Sequence, residues 1–435
     1  MSTNSNVIVQ KPKILESQRI RLTSPILHIG SEFQTLNPFE YIQNSNKVYI
    51  PNQEALVRAL NKLGGSFLQD YIQKIQQRQD ITQILNQAFR SGFENEKDEY
   101  GNLIFPKTGT SDKWSDDVTN FRPMIRNGMG YRYIPGSSIK GAIRTAITYH
   151  ILKRQSEVVS DIELKLREKL GNNRKLSDDI FMKNLFSNYH LKSGNNPIGR
   201  TSDANTDFMR AIKITDTKPL IERPIKTRKG TNQINVPVVT EVILSSFAHQ
   251  RTREGFIQKL AKYKSPIYVE MIHEVRTEFT LTLDTEMLSW FHHKQGINIP
   301  FKTIEELLNI CNEFASAQWN YEQKYWTDIS NNLKDDLDFD LIKEEYEKQC
   351  PYHLRIGWGC GMPGTTVSLC YEKDKKLMAD IRDASASSDK FKAPGYEAPK
   401  TRRTVADKDG DIKFVPGWVK LTPINQQSLS EQATT

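Results

Sequence analysis

Tyr133-Ile-Pro-Gly-Ser-Ser-Ile-Lys-Gly-Ala-Ile-Arg-Thr-Ala-Ile-Thr-Tyr-His-Ile151 carries the clearest periodicity in this sequence. Ile139, Ile143, Ile147 and Ile151 recur every fourth residue with Ala142 and Ala146 beside them, which predicts a helix with one apolar face. Pro135-Gly136 allows a sharp turn before it, and Ser137 and Ser138 stand where an N-cap belongs. A helix N-terminus offers unpaired N–H groups and the positive end of its dipole to an anion. Lys140 and Arg144, four apart, share a face. Hydroxyl, amide and cationic donors gathered at one spot suit a phosphate backbone. The same residues also suit an ordinary capped helix whose Lys and Arg point to water.

Outward from this helix the pattern changes to alternation. Arg19-Ile-Arg-Leu-Thr-Ser-Pro-Ile-Leu-His-Ile-Gly30 alternates polar and apolar residues before meeting Pro25 and Gly30, which predicts a half-buried strand running into a loop. A short strand at 47–50 and a helix at 52–63 follow, the helix with Ala55, Leu56, Ala59, Leu60 and Leu63 on one face. Much of 69–121 is rich in Gln, Asp, Lys and Gly and reads as an insertion. Beyond the isoleucine helix, residues 209–215 alternate, and Lys226-Thr-Arg-Lys-Gly-Thr-Asn232 forms a basic turn between two β-rich runs, as in a hairpin. Residues 269–283 are strand-like. Residues 303–349 form a long acidic helical region expected to pack outward as a lid or spacer. Strands at 353–356 and 365–371 are expected to flank the loop Gly357-Trp-Gly-Cys-Gly-Met-Pro-Gly364.

The 435 residues hold 60 Lys and Arg against 52 Asp and Glu, a formal charge of +8 that only modestly favours a polyanionic partner. The distribution is more informative, because residues 121–154 hold seven basic residues and no acidic one, whereas 313–349 hold ten acidic and four basic. The four cysteines form no C-x-x-C pair, so neither a zinc ribbon nor a disulfide framework is indicated. Residues 1–13 lack an apolar core and no run approaches the ~18 apolar residues of a membrane span. A cytoplasmic protein without a membrane partner, metal or cofactor is expected.

The glycine loop contains G-x-G-x-x-G at Gly359, Gly361 and Gly364, but a dinucleotide fingerprint must open a helix, and the β-branched residues after Gly364 read as a strand. Glycines between strands instead permit close backbone approach to a partner, or simply a tight turn. His28 is a possible acid or base and equally a simple hydrogen-bonding group at a strand end. Arg402 and Arg403 beside Lys400, with Phe414 and Trp418 downstream, mix cations with aromatics as single-stranded nucleic-acid sites do. Lys226, Arg228 and Lys229 offer a second basic turn, a common surface feature.

Taken in order, Pro25-Ile-Leu-His-Ile-Gly30, Tyr133-Ile-Pro-Gly-Ser-Ser-Ile-Lys-Gly-Ala-Ile-Arg144, Arg210-Ala-Ile-Lys-Ile-Thr-Asp216, the glycine loop 357–364, Lys400-Thr-Arg-Arg403 and Gly417-Trp-Val-Lys-Leu421 resemble the RAMP superfamily of CRISPR proteins. Within it they are most similar to the terminal Csm subunits of type III-A effectors, which sit at the 3′ end of the guide RNA. The resemblance implies an α+β, RRM-related ferredoxin-like fold in two related halves with large helical insertions. The halves would be residues 14–250, with an insertion at about 64–128, and 251–425, with the acidic insertion at about 303–349; a polar tail covers 426–435. It further implies RNA contacts for Ser137, Ser138, Lys140, Arg144, Gly359 and Gly361; His28, Lys226, Arg228, Lys229, Arg402 and Arg403 are expected to join them. The implied role is a non-catalytic subunit that binds guide RNA, takes part in its 3′-end maturation and in antiviral defence, and touches neighbouring RAMP subunits and, transiently, target RNA. Internal relatives cleave target RNA with an aspartate in the loop after His-Ile-Gly. Here that loop, Ser31-Glu-Phe-Gln-Thr-Leu-Asn37, has none, so a ribonuclease would depend on Glu32 or His28.

Overall fold

Alternating burial along Leu15–Leu27 makes this strand the spine of the sheet. A computed structural model describes residues 14–424 apart from 32–34, 38, 45–46, 91, 106–109, 113–120, 155, 172–180, 182, 199–204, 228–229, 252–256, 263–266, 331–337, 386–395 and 407–410. Leu15–Leu27 pairs antiparallel with Ile267–Asp284 from Leu15↔Asp284 to Leu27↔Ile272. Trp418–Pro423 lies on its other edge, followed by Leu354–Arg355. Across Ile267–Asp284 the sheet continues with Val236–Arg251, which also carries Thr401–Ala406. Strands from both sides of the 250/251 division therefore share one mixed, mainly antiparallel sheet in an α+β fold.

The spine strand changes phase at Pro25. Before it, Ile20 and Leu22 join Phe279, Leu281 and Leu283 in the main core; after it, Leu27 and Ile29 do so. Ile26 instead joins Val238, Val242, Val269, Met271 and Val405 on the opposite face of the sheet. Opposite Pro25, between the pairs Ser24↔Val275 and Ile26↔His273, stands Glu274 with φ 50°. Proline has no N–H to give the ladder, and the left-handed residue beside it lets both strands twist together without losing register. As a result Arg19 and Arg21 share the face opposite the main core with Ile26 and His28.

Gly136–Arg154 is the isoleucine helix, with Ile139, Ile143, Ile147 and Ile151 fully buried. Its start is pressed against Ile212–Ile214 and Thr215: a Cβ on Gly136 would lie 2.5 Å from the Ile214 carbonyl oxygen, so only glycine fits. The acidic helix, Ile304–Ser330, is no outward lid. Leu307, Ile310, Cys311 and Phe314 are buried against the isoleucine helix, Tyr149 meets Phe314 at 4.8 Å between ring centroids, and His150 Nδ1 lies 2.6 Å from Glu313 Oε2. Glu305 and Glu306 are exposed, but Glu313 faces the isoleucine helix and Glu322 is fully buried; the apolar stripe decides where the helix packs.

Two further segments differ from expectation. Residues 365–371 form no strand: Gly361–Thr365 is a short helix and Ser368–Tyr371 a turn of 3₁₀-helix. Hydroxyl bonds from Thr365 to the Gly361 carbonyl and from Thr366 to the Met362 carbonyl outweigh the β preference of the threonines. The glycine loop still does not form a dinucleotide crossover, because Leu354–Arg355 before it pairs antiparallel. The strand expected at 209–215 shortens to Ile212–Ile214 behind a 3₁₀ turn, Phe208–Ala211. Within 42–105, Ile42, Tyr49, Leu56, Leu60, Leu85 and Phe105 build a separate small core.

One buried carboxylate ties the sheet to the segment leading into the isoleucine helix. Glu270, fully buried in the Ile267–Asp284 strand, accepts hydrogen bonds from Arg126 Nη2 at 2.7 Å, Arg132 Nη1 at 2.9 Å and the Met124 N–H at 2.8 Å. Burial alone would raise its pKa, but the charges of Arg126 and Arg132 with these hydrogen bonds outweigh that and lower it to about 2.

Removing the Ile143 side chain leaves a core cavity, so Ile143→Ala is expected to cost about 2–5 kcal/mol in denaturant or thermal unfolding. Because the folded-state pKa of Glu270 lies below its ordinary value of 4.5, its stabilisation is complete above that pH and fades as pH falls towards about 2. Glu270→Gln should cost about 3–5 kcal/mol at neutral pH by stranding two guanidiniums, and the melting temperatures of parent and variant should converge on acidification.

Candidate nucleic-acid interface

Just beyond the spine strand the glycine loop presses onto the chain at His28. The Trp358 N–H donates to the His28 carbonyl at 3.0 Å. Gly357 (φ 83°) could carry no side chain, since a Cβ would come within 2.2 Å of that same carbonyl oxygen. At Gly359 (φ 99°) a Cβ would strike Pro416 at 2.7 Å, whereas at Gly361 it would meet only the Pro363 ring at 3.9 Å. The first two glycines therefore serve close packing of the loop, and Gly361 opens the short helix.

This packing displays Trp358. Its ring meets His28 edge-on at 5.8 Å, while the Arg403 and Arg122 guanidinium carbons lie 4.0 Å and 5.3 Å from its ring centroid. Trp358 packs, half-buried, against the cluster around Ile26, opposite the main core. The Arg403 Nε is buried without a hydrogen-bond partner. Burial lowers the Arg403 pKa, and the like charge of Arg122 adds to the shift. Two guanidiniums against one indole make a surface suited to an anion beside a stacked ring.

His28 itself is a held, neutral group. It is 2% exposed, its Nδ1 lies 2.7 Å from the Glu270 carbonyl oxygen, and burial lowers its pKa to about 4. The carbonyl requires the proton on Nδ1, leaving Nε2 as an acceptor.

The other expected contacts divide. Strand alternation turns Arg403 outward and Arg402 inward, where Arg402 Nε donates to both Glu322 carboxylate oxygens at 2.8 Å and its guanidinium lies 4.2 Å from the Tyr325 ring centroid. Its charge is committed to a buried ion pair, so the RNA contact expected for Arg402 gives way to a structural role. At the isoleucine helix, the Gly136 N–H donates to Asp216 Oδ1 at 2.8 Å, so a carboxylate already occupies part of that N-terminus. Ser137 is exposed and Ser138 half-buried. Arg144 is ion-paired to Asp207 and lies 4.5 Å from the Phe186 ring centroid, neither in open water nor unpaired. Burial lowers the Lys140 pKa, partly offset by Asp207. Lys226 is exposed on Arg223–Thr227, paired in a hairpin with Gly230–Ile234. Glu32, Arg228 and Lys229 lie outside the described residues. Sequence reasoning passed over Arg122 and Trp358; a tryptophan between two loop glycines was the available signal.

Among the described residues, no group of three or more His, Cys, Asp or Glu side chains is placed to hold a metal ion, and no helix is long and apolar enough to cross a membrane.

A family model described as the RAMP superfamily matches residues 19–361. The chain is 24% identical over 332 residues to the CRISPR system Cms protein Csm5 of Methanocaldococcus jannaschii, covering 72% of this chain and 67% of that one. Its fold is similar to that of a chain in a cryo-EM structure of a Csm–crRNA–target RNA ternary complex of a type III-A CRISPR-Cas system, with TM-score 0.57 and 23% identity over 94% of this chain and 100% of the other. It is similar also to the crystal structure of T. onnurineus Csm5, with TM-score 0.54 and 21% identity over 93% of this chain and 100% of the other. With residues 25–30, the isoleucine helix and the first part of the glycine loop inside the matched span, this chain belongs to the RAMP superfamily.

Proposed function

We propose that this chain is a non-catalytic, guide-RNA-binding subunit of a type III CRISPR effector, capping the assembly at the guide's 3′ end beside other RAMP subunits. The observation that carries the reading is Trp358 held against Arg122 and Arg403 by a glycine loop packed on, and hydrogen-bonded to, the His28 carbonyl. An indole stacks on any base, and the guanidiniums neutralise phosphate, so binding follows the backbone more than the sequence. The solved neighbours lend support, one being a chain of a complex with crRNA and target RNA. Ser137, Ser138, Lys140, Gly361 and Lys226 are proposed as further contacts along the RNA, with the buried Gly359 holding the loop in shape, in a ferredoxin-like core of two related halves.

General-acid catalysis is a poor fit to His28. With a pKa of about 4 the imidazole is neutral near pH 7 and has no proton to spare beyond the one held by the Glu270 carbonyl. The role proposed for it is to orient Trp358 and the loop, and a subunit of this kind would act in 3′-end maturation by protecting or presenting the RNA end.

Binding of labelled repeat-containing guide RNA, followed by fluorescence anisotropy, is expected to weaken with salt. Trp358→Ala should cost about 1–3 kcal/mol through lost stacking, while Arg403→Ala should also reduce the slope of log K against log salt by about 0.7. Unchanged affinity in both variants would remove this surface from the RNA path. The same RNA should remain intact with or without divalent metal; cleavage abolished by Glu32→Ala or His28→Ala would replace this reading with a ribonuclease.

A further inference from the structure

A second basic concavity lies on the same face of the sheet, towards the start of the spine strand. Arg19 and Arg21 point from that strand, Arg276 from Ile267–Asp284, Lys218 from the chain leading into the hairpin, and Arg223 and Lys226 from its first strand, around a cleft of about 690 Å³. Glu278 is the carboxylate among the lining residues. It is ion-paired to Arg19, to Lys218 at 3.2 Å and to Arg21 at 3.5 Å.

The walls are fixed by backbone-directed bonds rather than by these charges. Asn235, in the left-handed region at φ 54°, accepts from the Arg276 N–H at 2.8 Å and donates to the Ile221 and Arg276 carbonyls. Thr277 Oγ1 donates to the Lys218 carbonyl at 2.8 Å, and the Lys218 N–H to the Glu278 carbonyl at 3.0 Å. Cations are thus crowded onto a rigid frame. Burial lowers the Arg276 pKa, reinforced by the charges of Arg21 and Arg223, and the Arg21 Nε is buried without a hydrogen-bond partner. Pro219, Ile225 and the 52%-exposed Ile221 add an apolar lip.

We propose that this cleft holds the phosphodiester backbone of a single RNA strand at a second place on the chain, with the lip of Ile221 and Ile225 receiving a base or ribose. Arg21 precedes His28 by seven residues, about 23 Å along a strand, so the cleft and the Trp358 surface are separate footholds. The proposal rests on the RNA-binding reading given above. An acidic protein surface would match the charge, but partly recessed guanidiniums beside an apolar lip match a nucleotide better.

The test is anisotropy of a labelled oligouridylate, long enough to span both footholds, titrated with the full chain at several salt concentrations. Two double variants remove cleft charge: Arg21→Ala with Arg276→Ala, and Lys218→Ala with Lys226→Ala, the second pair being exposed and harmless to folding. Each is expected to weaken binding roughly tenfold and to lower the salt slope by about 1.4, two phosphates' worth for a single strand. Trp358→Ala should weaken binding with the slope unchanged. If both cleft variants bind as the parent does while Trp358→Ala is weakened, the cleft proposal falls and the RNA-binding reading stands. A parent that binds no RNA overturns both, and intact RNA binding with lost assembly into the effector would assign the cleft to an acidic protein surface and overturn the proposal.

Discussion

The rest of the structure depends on the desolvation of Glu270. A carboxylate with no exposed surface must be met by charge and hydrogen bonds or stay protonated, and here Arg126, Arg132 and the Met124 amide meet it. Those partners come from the segment leading into the isoleucine helix, so their bonds fix where that segment crosses the sheet. The backbone carbonyl of the same residue receives His28. One residue thereby joins the centre of the sheet, the approach to the principal helix and the end of the spine strand.

The Trp358 surface is a consequence of that arrangement. Once His28 is held, its carbonyl faces the glycine loop, and only residues lacking Cβ can bring the chain close enough for the Trp358 amide to reach it. The indole is then half-buried against the Ile26 cluster, and Arg122 and Arg403 reach it from neighbouring elements. Pre-organisation of this sort reduces the ordering cost of binding, because the stacking platform needs no rearrangement.

A basic stretch in a sequence does not reveal how its charge is used. Residues 121–154 read as a concentrated positive surface, yet Arg126 and Arg132 are turned inward onto Glu270 and Arg144 is paired with Asp207. Arg402 and Arg403 are adjacent, and one lies in a buried ion pair with Glu322 while the other lies against Trp358. The carboxylates that make these choices are far away in the chain. Acidic residues in Ile304–Ser330 misled in the opposite direction: they suggested a solvated spacer, whereas the apolar stripe between them packs on the isoleucine helix and Glu322 lies inside.

By itself the sequence determined what depends on neighbours a few positions apart. The four-residue spacing of Ile139 to Ile151 specified a helix and its buried face, the alternation after Arg19 a strand, and the Ile-Pro-Gly-Ser-Ser motif with the glycine loop the superfamily. Periodicity says which side chains share a face but not what that face meets. The phase change at Pro25, the inward turn of Arg402 and the pairing of Trp358 with two guanidiniums were decided by strands and loops brought together across the sheet. The physical reason is that burying a charge or displaying an aromatic ring is settled by the free energy of its partners, and those partners are set by tertiary pairing rather than by the order of residues along the chain.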